Sequence, residues 1–244
     1  MPANDPTGRR FGEAAEAYER GRPEYPEAII DWLLADAPST VIDLGAGTGK
    51  LTRGLAGRVE TIVAVEPDPM MRAALSERLP GTSVIAGTGE DLPLRDAYAD
   101  LVVAGQAWHW VDPVRAVPEV ARVLRPGGSL GMVWNDRDED DPWIARLSGI
   151  LADFGTSPDA AYEPIIGAPF EELDTTDIAW TNDVTVDAVV DMVVSRSYVI
   201  ALPQDRRDDL VRQVRELAYD GVDRTTALVP VRYVTRGYRA RLAR

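Results

Sequence analysis

Three glycines and one acidic residue form the pattern in this sequence that is most indicative of chemistry. Gly45, Gly47 and Gly49 follow an apolar run that ends at Leu44, and Glu66 stands nineteen residues after Gly47. Glycines let the backbone turn sharply and approach a ligand, because no Cβ stands in the way. An acidic side chain after the next strand can accept hydrogen bonds from both hydroxyls of a ribose. The pattern therefore predicts a site for a ligand that contains a nucleoside.

The spacing of the glycines separates two classes of ligand. Dinucleotide sites have the pattern GxGxxG, whose third glycine packs the helix against the strand. Here Lys50 holds that third position, and the glycines follow GxGxG instead. This spacing favours an adenosyl ligand without a diphosphate. A nicotinamide-dependent oxidoreductase is the less favoured alternative.

Alternating strands and helices must position these residues. Apolar runs at 41–44, 61–65, 101–104 and 130–134 predict strands, and the spacing at 26–35 and 113–124 predicts helices. Such alternation indicates an α/β fold with a doubly wound, mostly parallel sheet. Pro118 predicts a bend in the second helix or a limit on its first turn, and the RPGG segment at 125–128 predicts the end of this helix.

The second half of the chain follows another pattern. The charged run at 136–141 predicts a solvated loop, and helical patterns follow at 186–196 and 206–219. We expect three regions. Residues 1–135 form amino-terminal helices and the ligand-binding core, and 136–228 are mainly helical with one core edge strand near 170–180. Residues 229–244 supply the final core strand, with alternation at 229–238.

Composition limits the class of protein. A chain of 244 residues can form one elaborated domain, or a domain with a cap. The net charge of −14 repels phosphate backbones, so we expect no nucleic-acid partner. Without cysteine there is neither a disulfide nor a zinc–thiolate site, and no carboxylate cluster predicts a metal. No apolar run approaches a membrane span and the amino terminus lacks a secretion signal, so we expect a cytoplasmic protein without a membrane partner.

Five motifs in order resemble those of the class I S-adenosylmethionine-dependent methyltransferases. They are VIDLGAGTGKLT at 41–52, VAVEPDPMM at 63–71, AGTGEDLPL at 86–94, ADLVVAGQAWHWVD at 99–112 and ARVLRPGGSLGMVW at 121–134. The segment 11–26 and QAWHW at 106–110 resemble the methyltransferase type 11, trans-aconitate-methyltransferase-like branch, which acts on small molecules. The resemblance implies a seven-stranded Rossmann-like sheet with a helical lid inserted between late strands. It also implies S-adenosyl-L-methionine as cofactor and S-adenosyl-L-homocysteine as product.

The resemblance and the glycine pattern together give a set of expected cofactor-binding residues. The set is Tyr18, Arg22, Asp43, Gly45, Ala46, Gly47, Glu66, Pro67, Thr88, Gly89, Glu90 and Gln106. Asp43 either reaches the ammonium group of the cofactor or braces the loop. Many relatives carry an aspartate at the position of Thr88, so the group that binds the adenine amine is left open between backbone groups and the side chains of Thr88 and Asp91.

His109 is the only histidine and follows the strand predicted at 101–104. Three roles are open for it: a general base, a hydrogen bond to the acceptor, or a brace for the loop. Further candidate contacts to the acceptor are Trp108, Trp110, Trp134, Arg196 and Tyr198.

The expected function is methyl transfer to a small-molecule acceptor, at the oxygen of a carboxylate or a hydroxyl. A carboxylate is ionised at neutral pH and needs no base, whereas a hydroxyl must lose a proton. A protein that binds adenosylmethionine without catalysis is the alternative from another class. The sequence predicts no oligomeric state.

Overall fold

The computed structural model describes residues 19, 21–155, 162–196, 199 and 201–243. Its α-helices in this part of the chain are α1 Glu27–Leu33, α2 Lys50–Leu55, α3 Pro69–Arg78, α4 Pro113–Val123, α5 Pro142–Asp153, α6 Val186–Val194 and α7 Gln204–Asp220. The strands are β1 Thr40–Leu44, β2 Thr61–Val65, β3 Ser83–Ile85, β4 Ala99–Gly105, β5 Leu124–Arg137, β6 Phe170–Val184 and β7 Val229–Leu242. The predicted α/β class is therefore confirmed.

The strands form one seven-stranded sheet in the order β3-β2-β1-β4-β5-β7-β6. The pairs β1–β2, β1–β4, β2–β3 and β4–β5 are parallel. The order reverses beside β1, and in open α/β sheets ligands bind at the carboxyl ends of the strands at such a point. The glycine turn follows β1 and the QAWHW segment follows β4, so the topology brings both to this edge.

Chain contacts divide the structure into two compact units. The first, called the helical unit below, comprises the described residues of Met1–Pro23, Asp136–Ala161 and Ala179–Val234. The second, called the sheet unit, comprises those of Glu24–Asn135, Tyr162–Ile178 and Thr235–Arg244.

Each unit has its own apolar core. In the sheet unit, Ile42 and Leu44 of β1 pack in one cluster with α4, whereas Val41 packs in another with α1 and α2. Successive strand residues face opposite sides of a sheet, which accounts for the two clusters. The core of the helical unit gathers α5, α6, α7 and the start of β7, including Tyr233.

Asp-Pro pairs begin three of the described helices. Asp68 caps α3, Asp112 caps α4 and Asp141 caps α5. The carboxylates of Asp68 and Asp141 each accept two hydrogen bonds from backbone N–H groups of the first turn, and that of Asp112 accepts one. The proline that follows has no N–H to leave unsatisfied and already has a helical φ. These caps fix where each helix starts relative to the preceding strand.

Two local predictions differ from the structure. The second helix ends at Val123, just before the RPGG segment as predicted, but the next strand starts earlier than predicted. The RPGG segment lies inside β5, which pairs with β4 from Leu124 onward with a register shift, and Gly127 takes a φ of 78° there. The predicted solvated loop is wrong for Asp136 and Arg137, because β5 continues through both. Pro118 does not end α4, which continues to Val123. The bend at this residue stays a prediction.

Candidate functional site

The glycine turn after β1 is shaped for close approach of a ligand. Gly45 has a φ of 68° and Gly47 a φ of 56°, a left-handed region that glycine enters without steric cost. A Cβ on Gly45 would lie 2.6 Å from the Cβ of Ala107, so this position has no room for a side chain. A Cβ on Gly47 would meet nothing within 4 Å. Gly47 therefore presents its backbone to open space.

Glu66 follows β2 and ties this turn to α3. Its Oε2 accepts a hydrogen bond from the N–H of Gly47 and its Oε1 accepts one from the N–H of Asp68, both at 2.9 Å. The residue is only 7% exposed. Because each carboxylate oxygen has a second lone pair, both oxygens keep the capacity to accept a ribose hydroxyl.

Backbone contacts hold the two loops around Glu66 in place. The N–H groups of Gly45 and Ala46 donate to the carbonyl of Val65 at 2.8 and 3.1 Å. Arg72 Nη1 donates to the carbonyl of Pro67 at 2.6 Å. Ala46 and Pro67 thus flank the site through their main chains.

Asp43 is a buried carboxylate beside the turn. It is 1% exposed, and its Oδ2 accepts a hydrogen bond from Thr52 Oγ1 at 2.5 Å. Its Oδ1 is buried and accepts no hydrogen bond from the part of the chain that the structure describes. Burial raises its pKa to about 6, against hydrogen bonds from Thr52 and with a smaller contribution from the charge of Glu66. A buried acceptor with spare capacity suits a cationic group of a ligand.

The segment Thr88–Asp91 is joined to the start of α4. The main chains of Thr88 and Asp91 hydrogen-bond to each other at 3.2 and 3.3 Å. Glu90 Oε1 accepts from the N–H of Asp112 at 2.7 Å, and a Cβ on Gly89 would lie 2.7 Å from Val111. The carboxylate of Glu90 therefore positions the loop.

Gln106 is the first residue after β4 and has an unusual backbone. Its φ of 54° is left-handed although it is not a glycine, a conformation that costs about 1 kcal/mol or more. Its side-chain Nε2 donates to the carbonyl of Asn135 at 3.0 Å. The Gln106 side chain thus fastens the end of β4 to β5.

An aromatic group surrounds His109 in the sheet unit. The indole Nε1–H of Trp134 donates to Nδ1 of His109 at 3.3 Å. The ring of Tyr162 lies 5.8 Å from the ring of His109 and 5.0 Å from that of Trp134, and the ring of Trp110 lies 4.9 Å from that of His109. Trp110 is 82% exposed, whereas Trp134 is buried. The buried Trp134 thus fixes the exposed imidazole of His109 through this hydrogen bond.

The comparisons with known proteins agree with this geometry. Residues 42–132 match the model of the methyltransferase domain family. A methyltransferase of uncharacterised activity from Mycobacterium bovis is 49% identical over 208 residues, which is 85% of this chain and 84% of that protein. The chain belongs to the class I S-adenosylmethionine-dependent methyltransferases. The expected family is therefore confirmed.

Two further proteins resemble this methyltransferase. The solved structure of a proposed type II methyltransferase from Anaeromyxobacter dehalogenans is 27% identical with a TM-score of 0.65, covering 91% of this chain and 97% of that one. A malonyl-[acyl-carrier protein] O-methyltransferase from Methylococcus capsulatus is 34% identical over 134 residues, 50% of this chain and 49% of that protein.

The structure places the other predicted site residues of the methyltransferase as follows. Trp108 is 1% exposed and its indole N–H donates to the carbonyl of Ile165 at 3.3 Å, so its side chain packs in the core, and its contact with the acceptor stays a prediction. Arg22 and Arg196 belong to the helical unit. Tyr18 and Tyr198 lie outside the described residues.

Sequence reasoning missed Tyr162, whose ring contacts those of both His109 and Trp134. The tyrosine stands far from both in the sequence, and no motif marks it. In the described ranges no cluster of acidic or histidine side chains could hold a metal ion, and no helix is long and apolar enough to cross a membrane.

Proposed function

We propose that this methyltransferase moves the methyl group of S-adenosylmethionine to an oxygen of a small-molecule acceptor, either a carboxylate or a hydroxyl. The observation that carries the proposal is the hydrogen bond between Trp134 and His109. This hydrogen bond bears on the identity of the acceptor, because it determines which nitrogen of His109 carries a proton.

Three residues would hold the cofactor. Asp43, with its spare buried oxygen, would receive the ammonium group, and Glu66 would receive the ribose hydroxyls. Gly47 leaves open space for the ligand to approach the main chain. When bound, the cofactor supplies a methyl group that its sulfonium already makes electrophilic.

The neutral form of His109 is fixed by its neighbour. A nitrogen that accepts a hydrogen bond cannot carry the proton, so Nδ1 is the bare nitrogen and Nε2 carries the proton. In this tautomer Nε2–H donates a hydrogen bond and cannot take a proton from an acceptor. His109 therefore orients an acceptor oxygen. To act as a general base it would instead need an unprotonated Nε2.

This role favours a carboxylate, which is ionised at neutral pH and needs no base. Alignment of a bound nucleophile with a bound electrophile can by itself supply about 7–11 kcal/mol of the barrier. The exposed ring of Trp110 and the ring of Tyr162 offer an apolar wall beside the imidazole. The partial similarity to a malonyl-[acyl-carrier protein] O-methyltransferase supports an oxygen acceptor.

The test uses methyl-labelled adenosylmethionine and a fractionated pool of small metabolites. We expect label in products that base hydrolyses, because methyl esters are base-labile. We expect His109→Ala to slow turnover by about tenfold, the loss of one hydrogen bond, with no change in the pH profile between 6 and 9. Label only in base-stable products, with a loss of about a thousandfold or more and a changed pH profile in the variant, would contradict the donor role and indicate a base.

Trp134→Phe separates the donor role from a simple packing role. The phenylalanine keeps the apolar ring and removes the N–H that fixes the tautomer. Since His109 is the only histidine, a ¹⁵N-histidine spectrum reports its tautomer directly. We expect the wild type to show Nε2–H and the variant to show a mixture, and a wild-type spectrum with Nδ1–H would refute the assignment.

A further inference from the structure

Asn135 stands where three parts of the sheet unit meet. It follows Trp134 near the end of β5, and both ends of its side-chain amide are hydrogen-bonded. Its Oδ1 accepts from Thr235 Oγ1 at 2.6 Å, and its Nδ2 donates to the carbonyl of Glu24 at 3.1 Å. Thr235 lies on β7 and is fully buried. The amide therefore joins β5 to β7 and to the segment that precedes α1.

The main chain of Asn135 holds the start of the QAWHW loop at 106–110. Its carbonyl accepts the hydrogen bond from Gln106 Nε2 at 3.0 Å, and the N–H of Gln106 donates to the carbonyl of Val133 at 2.8 Å. Both hydrogen bonds tie Gln106 to the last part of β5. The left-handed φ of Gln106 costs free energy, so neighbouring contacts must hold this residue in place.

The segment that Asn135 binds at Glu24 also contacts the end of β4. A Cβ on Gly105, the last residue of β4, would lie 2.5 Å from Oη of Tyr25, which follows Glu24. The carboxylate of Glu24 pairs with Lys50 Nζ at 3.1 Å, and Lys50 begins α2 directly after the glycine turn. The amide of Asn135 thus fixes a segment that contacts both the end of β4 and the start of α2.

The QAWHW loop itself lies against the glycine turn. A Cβ on Gly45 would be 2.6 Å from the Cβ of Ala107, the second residue of the loop. Further along the loop, Nδ1 of His109 accepts the hydrogen bond from Trp134, the residue before Asn135. A displacement of Asn135 therefore reaches His109 by two routes, through the start of the loop and through Trp134.

We propose that Asn135 is a positioning residue for methyl transfer, which holds the imidazole of His109 in place relative to the glycine turn. It acts through Gln106 and Trp134. An asparagine amide serves both of its side-chain partners, because it offers an acceptor and a donor at opposite ends. An aspartate has the same shape, but it would set a carboxylate oxygen against the carbonyl of Glu24 and leave that carbonyl without its donor.

This inference rests on the proposed function, because it concerns the orientation of His109. Different comparisons test the two. The tautomer of His109 in the wild type tests the donor role, whereas the change from wild type to variant tests Asn135. A wild type with the other tautomer would end the donor role, and the variants would still decide whether Asn135 positions the imidazole.

The test is the ¹⁵N-histidine spectrum of the full chain at a pH of about 8.5, where an ordinary histidine is neutral. We expect Asn135→Asp to move the ratio of the two tautomers by about fivefold or more towards an even mixture, because the hydrogen bond that fixes the tautomer is weakened. A residue that only stabilised the fold would lower the unfolding temperature and leave the spectrum of the folded protein unchanged.

Turnover in the labelled assay gives a second measurement. We expect Asn135→Asp to slow the wild type by about fivefold or more, and to slow the His109→Ala variant by less than about twofold. The effect depends on the imidazole because Asn135 acts through His109. Equal losses in both backgrounds would contradict the proposal.

The matched control is Asn182→Asp, the same substitution on β6 in the helical unit, and it leaves the histidine spectrum unchanged. Thr235→Val and Thr235→Ser form a second pair, which decides if Asn135→Asp does not fold. Valine removes the hydroxyl that donates to Asn135 and shifts the tautomer ratio, whereas serine keeps the hydroxyl and the wild-type spectrum. The proposal is overturned if folded Asn135→Asp gives the wild-type histidine signals, or if Asn182→Asp or Thr235→Ser shifts them as much.

Discussion

Replacing Glu66 with alanine should weaken the binding of adenosylhomocysteine. In the structure this carboxylate accepts two backbone hydrogen bonds at 2.9 Å and keeps one lone pair on each oxygen for the ribose. Hydrogen bonds to a charged group contribute about 1.5–3 kcal/mol each, so two bonds to the ribose give about 3–6 kcal/mol. If water replaces half of this, the loss is about 1.5–3 kcal/mol, or about tenfold to a hundredfold in the dissociation constant.

The same substitution leaves the N–H groups of Gly47 and Asp68 without their acceptor, so part of the effect could come from a disordered turn. Glu66→Gln helps to separate these contributions, since it keeps the size of the side chain and one oxygen. We expect it to fall between the wild type and Glu66→Ala in affinity. Glu77→Ala, at an exposed position on α3, is the matched control.

The assay is isothermal titration with adenosylhomocysteine, accompanied by thermal unfolding of each variant without ligand. A variant of Glu66 that unfolds like the wild type and binds with an unchanged dissociation constant would remove this residue from the ribose site. A loss as large in Glu77→Ala would show that the effect is not specific to the turn.

The remaining predictions concern the turn, the buried acid and the core. Gly47→Ala and Gly57→Ala each place a Cβ in open space at a positive φ, so each should lower the free energy of unfolding by about 1 kcal/mol. Only Gly47→Ala should also weaken the binding of adenosylhomocysteine in the isothermal titration. With a pKa of about 6, Asp43 loses its charge as the pH falls from 7 to 5, so adenosylhomocysteine affinity should fall about tenfold over this range and stay flat in Asp43→Asn. The pKa of Asp43 is higher in the folded state than in the unfolded state. The contribution of Asp43 to stability is therefore present below pH 4 and is lost as the pH rises through 6. Denaturant titrations of the wild type and of Asp43→Asn at several pH values check the direction of this change. Trp108→Ala should lower the free energy of unfolding by about 3–5 kcal/mol, because the side chain is buried, and Trp110→Ala by less than about 0.5 kcal/mol, because it is exposed. Denaturant titration measures both values, and equal losses would contradict this difference in burial.

The sheet could be predicted because its central strands are buried on both faces and therefore appear as apolar runs. The run at 41–44 and the glycines after it are contiguous, so turn and strand are visible together. The extent of β5 was not visible, because proline and glycine at 126–128 are typical of a turn. The chain instead forms an irregularity at Gly127 and continues pairing with β4.

The contacts around His109 could be predicted only in part from the sequence. Trp134 lies in the second half of β5 and His109 follows the neighbouring parallel strand β4. The carboxyl ends of these strands share one edge of the sheet, so the proximity of the two residues could have been inferred.

The position of Lys50 has a consequence for chemical labelling. It is the only lysine of the sequence, it begins α2 directly after the glycine turn, and its side chain is 11% exposed in an ion pair with Glu24. A reagent that modifies ε-amino groups therefore has one target side chain in the chain, and this target lies next to the cofactor loop. The rate at which the amine is modified, read by mass spectrometry, reports the state of that loop without any engineered label.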